Sequence, residues 1–199
     1  VLQNYLKEIE PYREIHENIN KSLGDRNEGV LYAKKLIVPS KSNVYIIGDI
    51  HSSLESFRHI LNILNTKDIF EGEDEFILKE NNYIIFLGDM VDRGPYSIEI
   101  VMIICKLKFL NLDNVFIING NHEDIQQYAQ KLPNIGLHPH YLQSEFNHET
   151  KDDNNIEILI SSLLKVIPVV IFLQFGGDSK FFQLCHGGID ADYLPSRFI

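Results

Sequence analysis

Tyr83-Ile84-Ile85-Phe86-Leu87-Gly88-Asp89-Met90-Val91-Asp92-Arg93-Gly94 decides how the rest of the chain is read. Its first five residues are β-branched, aromatic or leucine and are closed by a glycine, the pattern of a strand buried on both faces. The polar residues Asp89, Asp92 and Arg93 therefore leave the C-terminal end of that strand. In an open α/β sheet the loops converge at that end and ligands bind there, so the three should share one rim.

The same grammar returns three times. Val44-Tyr45-Ile46-Ile47 runs into Gly48-Asp49-Ile50-His51, and Val115-Phe116-Ile117-Ile118 runs, after Asn119, into Gly120-Asn121-His122-Glu123. Phe181-Phe182-Gln183-Leu184-Cys185 runs into His186-Gly187-Gly188. One Gly-Asp after a strand is an ordinary turn. Four such junctions bring carboxylates, imidazoles and a carboxamide to a single rim, and glycine lets the backbone turn tightly enough to aim them. That is the donor inventory of a metal site.

GDIH, GDMVDRG, GNHE and HGG, in this order and each after a strand, resemble the metal-dependent phosphoprotein phosphatase family of serine/threonine type, within the calcineurin-like metallophosphoesterase superfamily. The resemblance covers about Val44 to Ile189, and GPYSIEIVMIICKLK is similar to the helix that follows the second motif in eukaryotic-type members. It implies an α/β fold, a β-sandwich of mixed sheets flanked by helices. The chain departs from the family pattern at Ser52, where glycine is usual, and at Asn119, where many members have arginine. A further metal-binding histidine and a second phosphate-binding arginine are expected downstream of HGG, and Ile189 to Ile199 offers no match for either. The fold is therefore expected to be incomplete at the C-terminus, with residues 41–199 forming the N-terminal portion of a metallophosphoesterase catalytic domain. Residues 1–40 read as an N-terminal helical segment packing on the core.

The chemistry follows from residue types. Phosphate monoester hydrolysis is among the slowest uncatalysed reactions, and enzymes accelerate such reactions by up to ~10²¹-fold. One general base does not supply that, whereas two cations ~3.5–4 Å apart acidify a shared water, neutralise phosphate oxygens and fix an in-line attack. Asp89, on a strand expected to be central, is the natural bridge, with Asp49 and His51 completing one site and Asn121 and His186 contributing to the other. The family resemblance implies the same ligand set, and implies two divalent or trivalent ions. Manganese is the first choice, with iron and zinc also suited to mixed nitrogen and oxygen ligands. His122 is placed to protonate the leaving oxygen, Asp92 to hold that imidazole in one tautomer, and Arg93 to present a planar fork to two phosphate oxygens, with Asn121 also at the phosphate. The plain alternative makes Asp92 and Arg93 a turn ion pair and His122 a helix cap. It is outweighed because all three fall on the rim that carries the ligands.

Composition sets outer bounds. At 199 residues with 44% apolar content, the chain can bury one sizeable core. A formal charge of −10 and the lack of a basic stripe argue against a nucleic-acid surface. Cys105 and Cys185 lie in apolar patterns and read as buried free thiols. No secretory leader is legible, and the apolar stretch from Leu163 to Phe175 is broken by Lys165 and Pro168 and falls short of the ~20 residues of a membrane span. The expectation is a cytoplasmic protein, with export to act in another cell as the alternative. His59 reads as a helix-surface residue. His138, His140 and His148 read as loop histidines rather than ligands, since none follows a core strand. The acidic run from Asp68 to Glu80 lacks calcium-loop spacing and reads as a hairpin.

The expected function is hydrolysis of phosphoserine and phosphothreonine in a phosphoprotein substrate, by a hydroxide activated between two metal ions. The alternatives are a hydrolase of nucleotides or diadenosine polyphosphates, a phosphotyrosine-specific phosphatase, and a non-catalytic phosphoprotein-binding module. Asp92 with Arg93, and the eukaryotic-like helix after them, favour the first.

Overall fold

The strand at Tyr83 becomes the middle of a three-stranded parallel sheet. The computed structural model describes residues 33–72, 76–123, 142–149, 160, 163–164 and 167–188. In chain order these give β1 (Ala33–Val38), β2 (Asn43–Ile47), α1 (Leu54–Thr66), β3 (Asn82–Phe86), α2 (Ser97–Leu110), β4 (Val115–Ile117), α3 (Leu142–Glu149), β5 (Val170–Phe175) and β6 (Phe182–Cys185). One sheet has the order β2-β3-β4, all parallel, with Ile46 opposite Ile85 and Ile85 opposite Phe116. The other has the order β1-β5-β6, with β5 parallel to β1 and antiparallel to β6.

Strand alternation sorts the core into two layers. Ile84, Phe86, Val115 and Ile117 point to one side, where Phe57 and Leu64 of α1 and Ile98, Val101 and Ile104 of α2 cover them. Ile85, Phe116 and Ile118 point to the other and meet Leu36 and Val38 of β1 and Ile171 and Leu173 of β5. This is a sandwich of two small sheets with helices on one outer face, as the period-two pattern of β3 requires when both of its faces are covered. α1 is capped by Ser53, whose Oγ accepts from the backbone N–H of Ser56. α2 buries Ile98, Ile100, Val101, Met102, Ile104, Cys105 and Leu107, a spread round the helix that belongs to an element packed on several sides. Ile160, Leu163 and Leu164 are helical and pack on the same cluster.

One expectation needs correction. Ala33–Val38 form a strand inside the second sheet, so the helical segment expected over residues 1–40 does not extend to them; residues 1–32 lie outside the described residues. His186 follows a strand of the other sheet, because β6 folds back on β5 through the turn at Gly176, where Asp178 N–H bonds Phe175 O at 3.1 Å. The hairpin expected over 68–80 is present as a short antiparallel bridge between Phe70 and Leu78. Cys105 and Cys185 are free, and burial pushes the Cys105 thiol up to about 12. Among the described residues no helix is long and apolar enough to cross a membrane.

Candidate metal centre and active site

The loops after β2, β3 and β4 are laced together by main chain before any side chain is considered. Both Ile50 and His51 donate N–H to Asp89 O, at 3.0 and 2.9 Å, and Ser52 donates to Met90 O at 2.9 Å. The third loop is tied in by a carboxylate. Glu123 Oε2 accepts from the N–H groups of Asp89 and Gly120, and Oε1 from Met90, each at 2.8 Å. Glu123 is 3% exposed, and burial pushes its carboxyl above the ordinary range while these N–H groups pull it back. The approach is so close that a Cβ on Gly88 would come within 2.4 Å of Gly120 N, and one on Gly120 within 2.4 Å of Asp89 N.

The lacing holds unusual backbone. His51, Asp89, Asp92 and Arg93 all have positive φ, at 48°, 50°, 65° and 66°. Such conformations cost on the order of 1–3 kcal/mol for each non-glycine residue and persist where surroundings over-determine them. Here they turn each side chain into the rim.

Asp89 is at the centre, 2% exposed. Its Oδ1 accepts from His122 N–H at 3.0 Å, which leaves Oδ2 free to face inward. That oxygen lies 3.6 Å from His51 Nε2 and 3.3 Å from His186 Nε2. Asp49, on the exposed side, reaches both imidazoles, with Oδ2 at 3.6 Å from His51 Nε2 and Oδ1 at 3.9 Å from His186 Nδ1. Asn121 Oδ1 is 3.0 Å from His186 Nε2.

The imidazole tautomers test whether this set fits a metal. His51 Nδ1 faces Val91 O at 3.3 Å and His186 Nδ1 faces Leu87 O at 3.0 Å. A carbonyl only accepts, so in each neutral ring Nδ1 carries the proton and Nε2 presents a lone pair. His51 Nε2 then faces the carboxylates of Asp49 and Asp89 and is buried without a hydrogen-bond partner, while His186 Nε2 faces Asp89 Oδ2 and the Asn121 carboxamide oxygen. Acceptors aimed at acceptors are unfavourable until a cation sits between them, and a second ring nitrogen anchored to a carbonyl is the usual support of a metal-bound histidine. Two overlapping donor groups share Asp89: Asp49 with His186, and His51 with His122. The residues fit a pair of cations with mixed nitrogen and oxygen ligands.

Beside this pocket His122 is engaged at both nitrogens. Nδ1 donates to Asp92 Oδ2 at 2.9 Å, and Arg93 donates to Nε2 at 3.2 Å. His122 is 1% exposed and sits edge-on to His51 at 5.0 Å between ring centroids. The Arg93 side is open to solvent.

All eight residues singled out in the sequence are thus brought together, although His186 arrives from the second sheet. His138 and His140 lie outside the described residues, as does the side chain of His148. Sequence reasoning missed Glu123, which it named only as the last residue of the third junction and gave no role. The signal was its place directly after His122, in a junction where every other polar residue faces the rim.

Three comparisons bear on this geometry. The family model of the calcineurin-like phosphoesterases matches residues 42–196. The serine/threonine-protein phosphatase PP2A-like PPG1 of Candida albicans is 28% identical over 153 residues, which are 77% of this chain and 30% of that protein. This chain thus spans less than a third of that relative's length. Among solved structures, a protein serine/threonine phosphatase of Saccharomyces cerevisiae with similarity to human PP5 superposes with a TM-score of 0.56 at 19% identity, covering 86% of this chain and 44% of that one. The cold-active protein-tyrosine phosphatase of a psychrophilic Shewanella gives 0.51 at 18% identity, covering 72% and 42%. At such identities the two structures share the fold.

Proposed function

The chain belongs to the calcineurin-like phosphoesterase family, and from that premise we propose that it takes part in metal-dependent hydrolysis of phosphoserine and phosphothreonine monoesters in proteins. The observation that carries the reading is the row Asp92–His122–Arg93, with contacts of 2.9 and 3.2 Å, set against the metal-ligand pocket. A phosphate bridging the pocket would have a guanidinium for its oxygens and an imidazole for its leaving group. The 28% identical relative named as a serine/threonine-protein phosphatase supports the same substrate class.

Asp49, His51, Asp89, Asn121 and His186 would hold two ions. When bound, these would supply Lewis-acid polarisation of the phosphoryl group and of the attacking water. The residues of the chain do the rest. Arg93 gives up its bond to His122 Nε2 and turns its N–H fork to two phosphate oxygens. That frees Nε2, which, once protonated, stands to give its proton to the serine or threonine oxygen as the P–O bond breaks. Asp92 keeps Nδ1 as the donor throughout, so the proton to be transferred resides on Nε2.

The test is an assay of the full-length protein with para-nitrophenyl phosphate, phosphoserine, phosphothreonine and phosphotyrosine peptides and diadenosine tetraphosphate, with and without manganese. Manganese-dependent release of phosphate from phosphoserine or phosphothreonine peptides is expected. Turnover confined to phosphotyrosine or to diadenosine tetraphosphate would move the site to another substrate class, and tight phosphopeptide binding without turnover would make it a binding module.

A further inference from the structure

Asp92 is gripped at both oxygens. While Oδ2 accepts from His122 Nδ1, Oδ1 accepts at 2.8 Å from the N–H of Leu142, the first residue of α3. That N–H is one of the four a helix start leaves without an intrahelical partner, at the end of the helix that favours negative charge. Three residues further along α3, Glu145 reaches the opposite way. Its Oε1 accepts from Ser97 N–H and its Oε2 from Ile98 N–H, both at 3.0 Å. These are the first two residues of α2, whose N-cap residue Tyr96 gives no side-chain capping bond. Two helix starts therefore exchange carboxylates: the loop before α2 supplies Asp92 to α3, and α3 supplies Glu145 to α2.

Ser97 closes the circuit. Its Oγ accepts from Asp92 N–H at 3.3 Å and pairs with Ser52 Oγ at 2.6 Å, and both serines are fully buried. Burial pushes the Glu145 carboxyl up, with the Ser97 hydroxyl and the N–H groups of Ile98 and Ser97 pulling the other way. Asp92 and Arg93 stand at φ 65° and 66° between these fixed points. A strained turn of this kind relaxes if either end is released.

We propose that Glu145 is a positioning residue for Asp92 and His122: by locking the start of α2 to α3, it fixes the Asp92 carboxylate so that His122 keeps its proton on Nδ1 and its Nε2 toward the phosphate. The proposal rests on His122 acting as the acid, as read above. Glu145→Gln is the direct probe, because one oxygen still accepts while the new NH₂ meets an N–H head-on. In the metal-loaded full chain, kcat on a phosphoserine peptide should fall about tenfold, as small displacements of acting groups do. KM should hold, and the loss should nearly vanish on para-nitrophenyl phosphate, whose leaving group needs little protonation.

A second readout does not depend on turnover. In the metal-free protein, the low-field Nδ1 proton of His122, seen by nitrogen-15 histidine NMR, should broaden or move upfield in Glu145→Gln. Equal losses on both substrates together with an unchanged Nδ1 signal would reduce Glu145 to a structural brace and overturn the proposal. If Glu145→Gln does not fold, Ser97→Ala cuts the same circuit, and it should show the same leaving-group dependence at smaller size; its absence overturns the proposal equally. A wild-type chain inactive on both substrates would refute the functional reading instead, while the NMR comparison still decides the positioning.

Discussion

On one side of Asp89, His51 and His186 give their Nδ1 protons to Val91 and Leu87 carbonyls and leave Nε2 facing carboxylate oxygens across 3.3–3.6 Å. On the other, His122 has Asp92 at one nitrogen and Arg93 at the other, and Asp92 has a donor on each oxygen. On the first side His51 Nε2 is buried without a hydrogen-bond partner, whereas on the second both ring nitrogens of His122 and both carboxylate oxygens of Asp92 have one. A buried acceptor left unmatched costs about 1–3 kcal/mol, so His51 Nε2, facing two carboxylates with no hydrogen-bond partner, suits a pocket that takes up a cation. The His122 side needs no such addition and is braced by helices instead.

The sharpest way to break this division is His122→Asn. If His122 is the general acid and is independent of the proposed metal ligands, kcat on phosphoserine peptides should drop by about 10²–10⁴-fold, the usual worth of general acid–base catalysis. The drop should be much smaller on para-nitrophenyl phosphate, and metal content by elemental analysis should stay at the wild-type level. Loss of metal in this variant would merge the two sides, because His122 is also within reach of a group with His51 and Asp89. Next in size, Asp89→Asn should weaken both metal positions by more than the ~10–100-fold that removing a merely supporting partner costs. His186→Ala should empty mainly one. Equal stoichiometric losses in the two variants would deny Asp89 its place as the shared ligand. Arg93→Ala should be milder, raising KM about tenfold on aryl and peptide substrates alike, near the lower end for a hydrogen bond to a charged group. Titrating initial rates against substrate would show whether the change falls on KM, as expected, or on kcat, which would give Arg93 a part in the chemical step.

What could be read in advance, and what could not, follows the range of the interactions. The strand-to-polar junctions are local: four or five apolar residues, a glycine, a carboxylate. They located Asp49, His51, Asp89, Asp92, Arg93, Asn121, His122 and His186 because the fold places strand ends, and not scattered surface residues, at the rim. β1 escaped because Lys34 and Lys35 interrupt its apolar pattern, although Leu36 and Val38 alternate with the exposed Ile37 as an edge strand should. The origin of His186 in the second sheet was hidden because strand pairing is a long-range fact, and the same junction grammar serves either sheet. The bond from Leu142 to Asp92 spans 50 residues of chain, and no local pattern announces it. Glu123 stood in the third junction, but its three N–H partners belong to two different loops and could not be read locally.

The smallest expected effect lies outside the rim and concerns the cost of burying a charged amine. Lys108, near the end of α2, donates to the Leu112 carbonyl and lies 4.9 Å from the centre of the Phe116 ring, with Lys34 of β1 at 4.9 Å from the same ring. Burial first, and then repulsion from Lys34, push its amine down from 10.5 to about 8, with Asp113 opposing. The folded state thus gives up this proton more readily than the unfolded state. Below about pH 8 both states are protonated and the folded chain bears the full cost; between about 8 and 10.5 the cost is relieved; above that both are neutral. Lys108→Met keeps an unbranched side chain and removes the titration. Its melting temperature, measured beside wild type from pH 7 to 10.5, should exceed wild type most at the lower end, with the gap closing as pH rises. Lys34→Ala should shift the closing of the gap to higher pH by removing the second cause. Parallel curves at every pH would show that Lys108 meets no such cost where it lies.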